Sequence, residues 1–114
     1  MSWITKNLEE IKNKGYVIDV TDLNLEDENG EPLKEIRFGS LTEGEITAIE
    51  RHPEIVTRRD KDSKMRLTGM RIIFERLSKI DSSLNWEEFK MLDQSIIDAL
   101  ATKIQDALGV GSKN

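Results

Sequence analysis

Tyr16-Val17-Ile18-Asp19-Val20-Thr21 alternates with a period of two. Tyr16, Ile18 and Val20 fall on one side and Val17, Asp19 and Thr21 on the other, the pattern of a half-buried strand. Asn29-Gly30 follows after a polar interval, and both residues tolerate positive φ, so a hairpin turn is expected there. Beyond it Ile36 and Phe38 alternate with Glu35 and Arg37 as the returning strand. Pro32 has no amide hydrogen and must lie at an edge or outside the paired part. A two-stranded hairpin is marginal alone, so helices on either side have to cover it.

On the amino-terminal side, residues 3–13 read as a short helix capped by Ser2 and stopped by Gly15, with Ile4, Leu8 and Ile11 forming one stripe. A helix this short needs a surface to dock on, either the chain's own core or a neighbouring subunit or partner. On the carboxyl-terminal side the starts are marked by capping chemistry. Thr42 and Glu45 make a capping box, and Pro53 ends that helix near Arg51. Arg58 to Lys64 reads as an exposed charged loop, followed by a helix over about residues 63–79 with Met70, Ile73, Phe74, Leu77 and Ile80 on its apolar face. Asn85 with Glu88 forms a second capping box, with Leu84 and Phe89 as its hydrophobic staple. Asp93 caps the last helix, striped by Ile96, Ile97, Leu100, Ala101, Ile104 and Leu108 and stopped at Gly109.

The 114 residues suit one domain: a helix at 3–13, a hairpin at 16–39, a helical part at 42–109 and a frayed tail at 110–114. The fold class expected is α+β, mostly helical, with three to four helices packed on the hairpin. No cysteine is present, which removes disulfides and thiolate chemistry and suits a reducing cytoplasm. The opening residues lack the apolar run of a secretion signal, and no stretch approaches the roughly 18 apolar residues of a membrane span, so a cytoplasmic, non-membrane protein is expected.

The net charge of −5 argues against a generic nucleic-acid binder. Residues 51–76 hold eight Lys/Arg against four Asp/Glu, a local +4 that leaves −9 on the rest. Arg58, Arg59, Lys61, Lys64 and Arg66 could meet phosphates, yet no aromatic side chain is interleaved for stacking. The interval between flanking helices also exceeds the roughly three to four residues of a helix-turn-helix.

Catalytic signals are thin. His52, the one histidine, precedes Pro53 at a helix end with no nucleophile at a recognisable spacing, and reads as a surface residue interacting with the helix dipole. The acidic run from Glu26 to Glu31 puts its glycine in the wrong register for a calcium loop and reads as a solvated tip. Neither catalysis nor a metal or cofactor is expected. Protein binding fits better, through apolar helix stripes and exposed arginines, with Trp3, Leu8, Arg58, Arg59, Trp86, Ile97 and Ile104 as the candidate partner-binding residues.

Glu35-Ile36-Arg37-Phe38-Gly39-Ser40-Leu41-Thr42-Glu43-Gly44-Glu45 resembles the tail assembly chaperones of long-tailed bacteriophages, with a strand ending in an aromatic residue and a Leu-Thr-x-x-Glu helix start. Leu92-Asp93-Gln94-Ser95-Ile96-Ile97 through Ala107-Leu108-Gly109 looks like the closing helix of those proteins. The charged segment Arg58–Lys64 has no counterpart in the family pattern. The resemblance implies transient binding of a tape measure protein in the host cytoplasm, with no catalytic residue or cofactor carried over. Two alternatives stay open: a structural phage or adaptor subunit retained in the assembly, and a small DNA-binding regulator using Arg58–Arg66. A homo-oligomer is also compatible with the apolar stripes.

Overall fold

The computed structural model describes residues 2–13 and 15–109, with side chains given except at residue 9 and residues 11–13. The expected Ile11 side chain and the tail at 110–114 therefore lie outside the described residues. Helix α1 spans Trp3–Asn13, strand β1 Gly15–Asp19 and strand β2 Glu35–Gly39. Helices α2 (Glu43–Glu50), α3 (Pro53–Val56), α4 (Lys61–Ser78), α5 (Trp86–Lys90) and α6 (Gln94–Leu108) follow. The architecture is a mostly helical α+β fold, as the periodicities require.

The two strands are antiparallel, with Tyr16 opposite Phe38 and Ile18 opposite Ile36. Ile18, Val20 and Phe38 are buried while Val17 and Arg37 face outward, the alternation read from the sequence. Tyr16 and Phe38 stack with ring centroids 5.0 Å apart. The turn at Asn29-Gly30 has a different geometry from the two-residue type expected. Only Gly30 takes positive φ (+79°), and its amide donates to the Asp27 carbonyl at 3.0 Å, the signature of a three-residue connection. The Asp27 carboxylate accepts from the amides of Asn29 and Glu31, so it is spent on the tip backbone. Pro32 bridges Glu26 at a position where the flanking Asp27 and Leu33 amides make the hydrogen bonds and its own is not needed.

Between strand and tip lies a single 3-10 turn at Thr21–Leu23, closed by Asn24 in the left-handed region at φ 56°. It inserts extra residues on one side only. Asp19 pairs with Glu35 below it, but Glu26 with Pro32 above it, so the register slips by four residues across the turn.

The helix caps follow the sequence closely. Both bonds of the Thr42–Glu45 box form, and Glu45 also pairs with Lys79 across to α4; these bonds hold its carboxyl below the usual range, the Lys79 contact foremost. Asn85 accepts from the Glu88 amide at 2.9 Å, one of the two bonds of the expected box. Asp93 caps α6 and Gly109 ends it at φ 78°.

Two features depart from expectation. The segment Arg58–Lys64 is not an extended loop: Asp60 accepts from the Ser63 amide at 2.8 Å and starts α4 at Lys61, so only residues 57–60 connect the helices. The helix α3 is additional, and it turns His52 into an N-cap whose Nδ1 accepts from the Glu54 amide at 3.1 Å. His52 thus sits at the positive end of a helix dipole as an acceptor, rather than closing a helix at its negative end.

The main core joins the inner hairpin face to α4, α5 and α6 through Ile18, Val20, Phe38, Phe74, Phe89 and Leu100 among others. A smaller cluster of Ile49, Ile55 and Leu67 ties α2 and α3 to α4. Trp86 packs against both. β2 comes so close to the end of α4 that a Cβ on Gly39 would stand 2.7 Å from Lys79 Cβ.

A candidate helix-binding groove

Helices α4 and α6 diverge enough to leave an open apolar groove of about 530 Å³ between them. Arg66 and Asp98, each in the second turn of its helix, approach to 3.8 Å, so the two helices start at the same end of the molecule. Met65, Met70 and Ile72 line one wall, Ala101 and Leu108 the other, with Ile73, Ile97 and Ile104 beneath. Gly69 lies midway, and a Cβ there would meet no atom within 4 Å. Methionine walls adapt to irregular apolar surfaces, because the thioether chain is unbranched and polarisable.

Among the described residues, Arg76 borders this groove and forms no ion pair. It is half-buried, and its guanidinium makes a single long bond, 3.4 Å, to the Gly39 carbonyl. Burial pushes its pKa below the usual guanidinium range. A partly desolvated charge of this kind is stabilised by any carboxylate brought alongside it.

The sequence-based candidates separate into four groups. Trp3 is 75% exposed on α1, and Ile4 and Leu8 are exposed on the same helix. Among the described residues, no α1 side chain joins either core cluster. Arg58 and Arg59 are exposed in the connection before α4 and form no ion pair among the described residues, while Arg66 is engaged with Asp98. Ile97 and Ile104 are buried to 4% and 3%; they are core side chains that form the groove floor rather than an independent contact surface.

Trp86 is half-buried and held by residues of α3, α4 and α5. Its ring lies near Phe74 and Phe89, with centroids at 5.3 and 6.1 Å. The Arg71 guanidinium sits 4.8 Å and the Lys90 ammonium 5.2 Å from its centroid. Its Nε1 donates to Glu54 at 2.9 Å, and Lys90 donates to the other Glu54 oxygen at 2.7 Å. These bonds, the lysine's first, hold the Glu54 carboxyl below its ordinary value. The cluster is a latch between α3, α4 and α5, so Trp86 is committed to packing.

The groove residues Met65, Gly69 and Arg76 were not among the candidates. The available signal was Gly69: a glycine inside a long amphipathic helix costs helix stability, and it often marks a place where something must approach closely. Among the described residues no group of three His, Asp or Glu side chains could hold a metal ion, and no helix is long and apolar enough to cross a membrane.

No family model matches this chain. Neither a curated protein nor a solved structure matches it significantly.

Proposed function

We propose that this chain is a protein-binding assembly factor that shields an apolar helix of a client, most concretely a phage tail assembly chaperone holding a tape-measure-like protein. The observation that carries this reading is the methionine-walled α4–α6 groove, left open on a surface whose net charge keeps the carrier itself dispersed. A groove between two helices accepts a third by laying one apolar face into it. Nothing about the site requires a bond to be made or broken, which suits a holding role.

Gly69 supplies the test. A Cβ there meets no atom within 4 Å, so a leucine can be introduced at the backbone without a clash and projects its side chain into the groove. Co-expression with an aggregation-prone, apolar helical tape-measure-like protein should raise the soluble fraction of that client several-fold. Gly69→Leu should remove the effect while leaving the carrier folded. Unchanged client solubility with the native chain would sink the proposal. Recovery of the chain as a stoichiometric component of finished particles would instead point to a structural subunit.

A further inference from the structure

We infer that, before any client arrives, the α4–α6 groove of one copy is occupied by α1 of a second copy, giving a reciprocal dimer. The inference rests on the groove being a helix-binding site, as the proposed function holds, but not on the identity of the client.

Two unsatisfied surfaces of one chain fit each other. Trp3, Ile4 and Leu8 project from one side of α1, are exposed, and join neither core cluster among the described residues. The groove offers an apolar floor that the described residues leave open. Their lengths agree: α1 has eleven residues, and the groove runs from Met65 to Arg76 along α4 and from Ile97 to Leu108 along α6. At about 1.5 Å rise per residue each of these stretches is about 16 Å long. Charge agrees as well. Glu10 is exposed and stands seven residues after Trp3, two turns along the same side of the helix, bordering the apolar face. Arg76 at the groove has no carboxylate partner among the described residues.

Reciprocity follows from size. One short helix in a groove buries less than the roughly 1,200 Å² typical of a stable interface, whereas a two-fold exchange counts every contact twice and closes on itself.

The chain contains no cysteine, which makes the arrangement directly readable. Full-length Leu8→Cys protein is mixed under oxidising conditions with full-length Met70→Cys protein carrying a larger tag. A disulfide joining the two differently sized chains is the expected result. The native chain should sediment as a dimer, and Trp3→Ala or Gly69→Leu should each raise its dissociation constant about tenfold or more, with circular dichroism unchanged and no loss of stability when dilute monomers are compared. Glu10→Arg should weaken the dimer, and adding Arg76→Glu should restore part of the loss.

A native chain that stays monomeric overturns the inference. So does a Leu8→Cys/Met70→Cys double variant that cross-links within one chain, because α1 then covers its own groove. A dimer indifferent to Gly69→Leu also overturns it by placing the interface elsewhere. A monomer that still solubilises the client removes this inference alone; a native chain that dimerises through the groove but never raises client solubility removes the functional reading alone.

Discussion

The two tryptophans open helices at opposite ends of the chain, and their sequence neighbourhoods resemble each other: a polar capping residue before, an apolar stripe after. Their surroundings could hardly differ more. Trp86 is gripped by Phe74, Phe89, Arg71, Lys90 and Glu54. Trp3 meets mostly solvent, on a helix none of whose described side chains enters the core. Local capping decides that a helix starts. What its first aromatic ring does depends on whether other elements converge there, and only at α5 do they converge.

The contrast can be broken most forcefully in the core that Trp86 borders. Phe38→Ala removes a ring with no solvent exposure and should cost about 3–5 kcal/mol, read as a loss in denaturant midpoint; a loss under about 1 kcal/mol would mean the hairpin is not docked as described. Trp86→Ala should cost about 3 kcal/mol, near the lower end for a large ring because this one is half-buried. In monomeric protein at low concentration, Trp3→Ala should change stability by under about 0.5 kcal/mol. Equal losses at the two tryptophans would erase the distinction.

A subtler probe is Glu54, whose carboxylate joins the indole to Lys90. Glu54→Gln should cost about 1 kcal/mol near neutral pH, a modest figure because the ion pair is partly exposed. The carboxyl is held below its ordinary 4.5, so the folded state favours the ionised form. That contribution is fully present above about pH 4.5 and is lost as acid protonates the folded carboxylate. Native and Glu54→Gln proteins should therefore converge in stability as the pH falls below 4.5, and a constant gap would contradict the assignment. The cap offers a comparably small probe: Asn85→Ala should cost about 1 kcal/mol or less, with thermal melting as the readout.

The helix starts at Thr42, Asn85 and Asp93 and the stop at Gly109 were legible because capping links residues no more than four apart. Strand alternation was legible for a similar reason, since one face of the hairpin is buried and the other is not. The four-residue α3 carries too few positions to show a period. Pro53 signals both the end of one helix and the first position of the next, and only the first of these meanings was read. The 3-10 turn at Thr21–Leu23 escaped notice because its residues carry no glycine or proline.

The groove was the least legible feature. Its residues were visible as an apolar stripe, but its openness depends on how far α6 stands from α4. That separation is fixed by contacts distant in sequence, including the Arg66–Asp98 pair 3.8 Å apart between the two helices. Periodicity assigned Ile97 and Ile104 to an apolar face correctly, without revealing that this face would be floor rather than rim.

Gly39 fixes where the sheet meets the last turn of α4, with hydrogen in place of a side chain as the only spacer. One added methyl at that position is therefore a built-in wedge. It would lever β2 away from Lys79 and disturb the carbonyl that Arg76 leans on, so a change on the sheet side of the molecule would be transmitted mechanically to the mouth of the α4–α6 cleft.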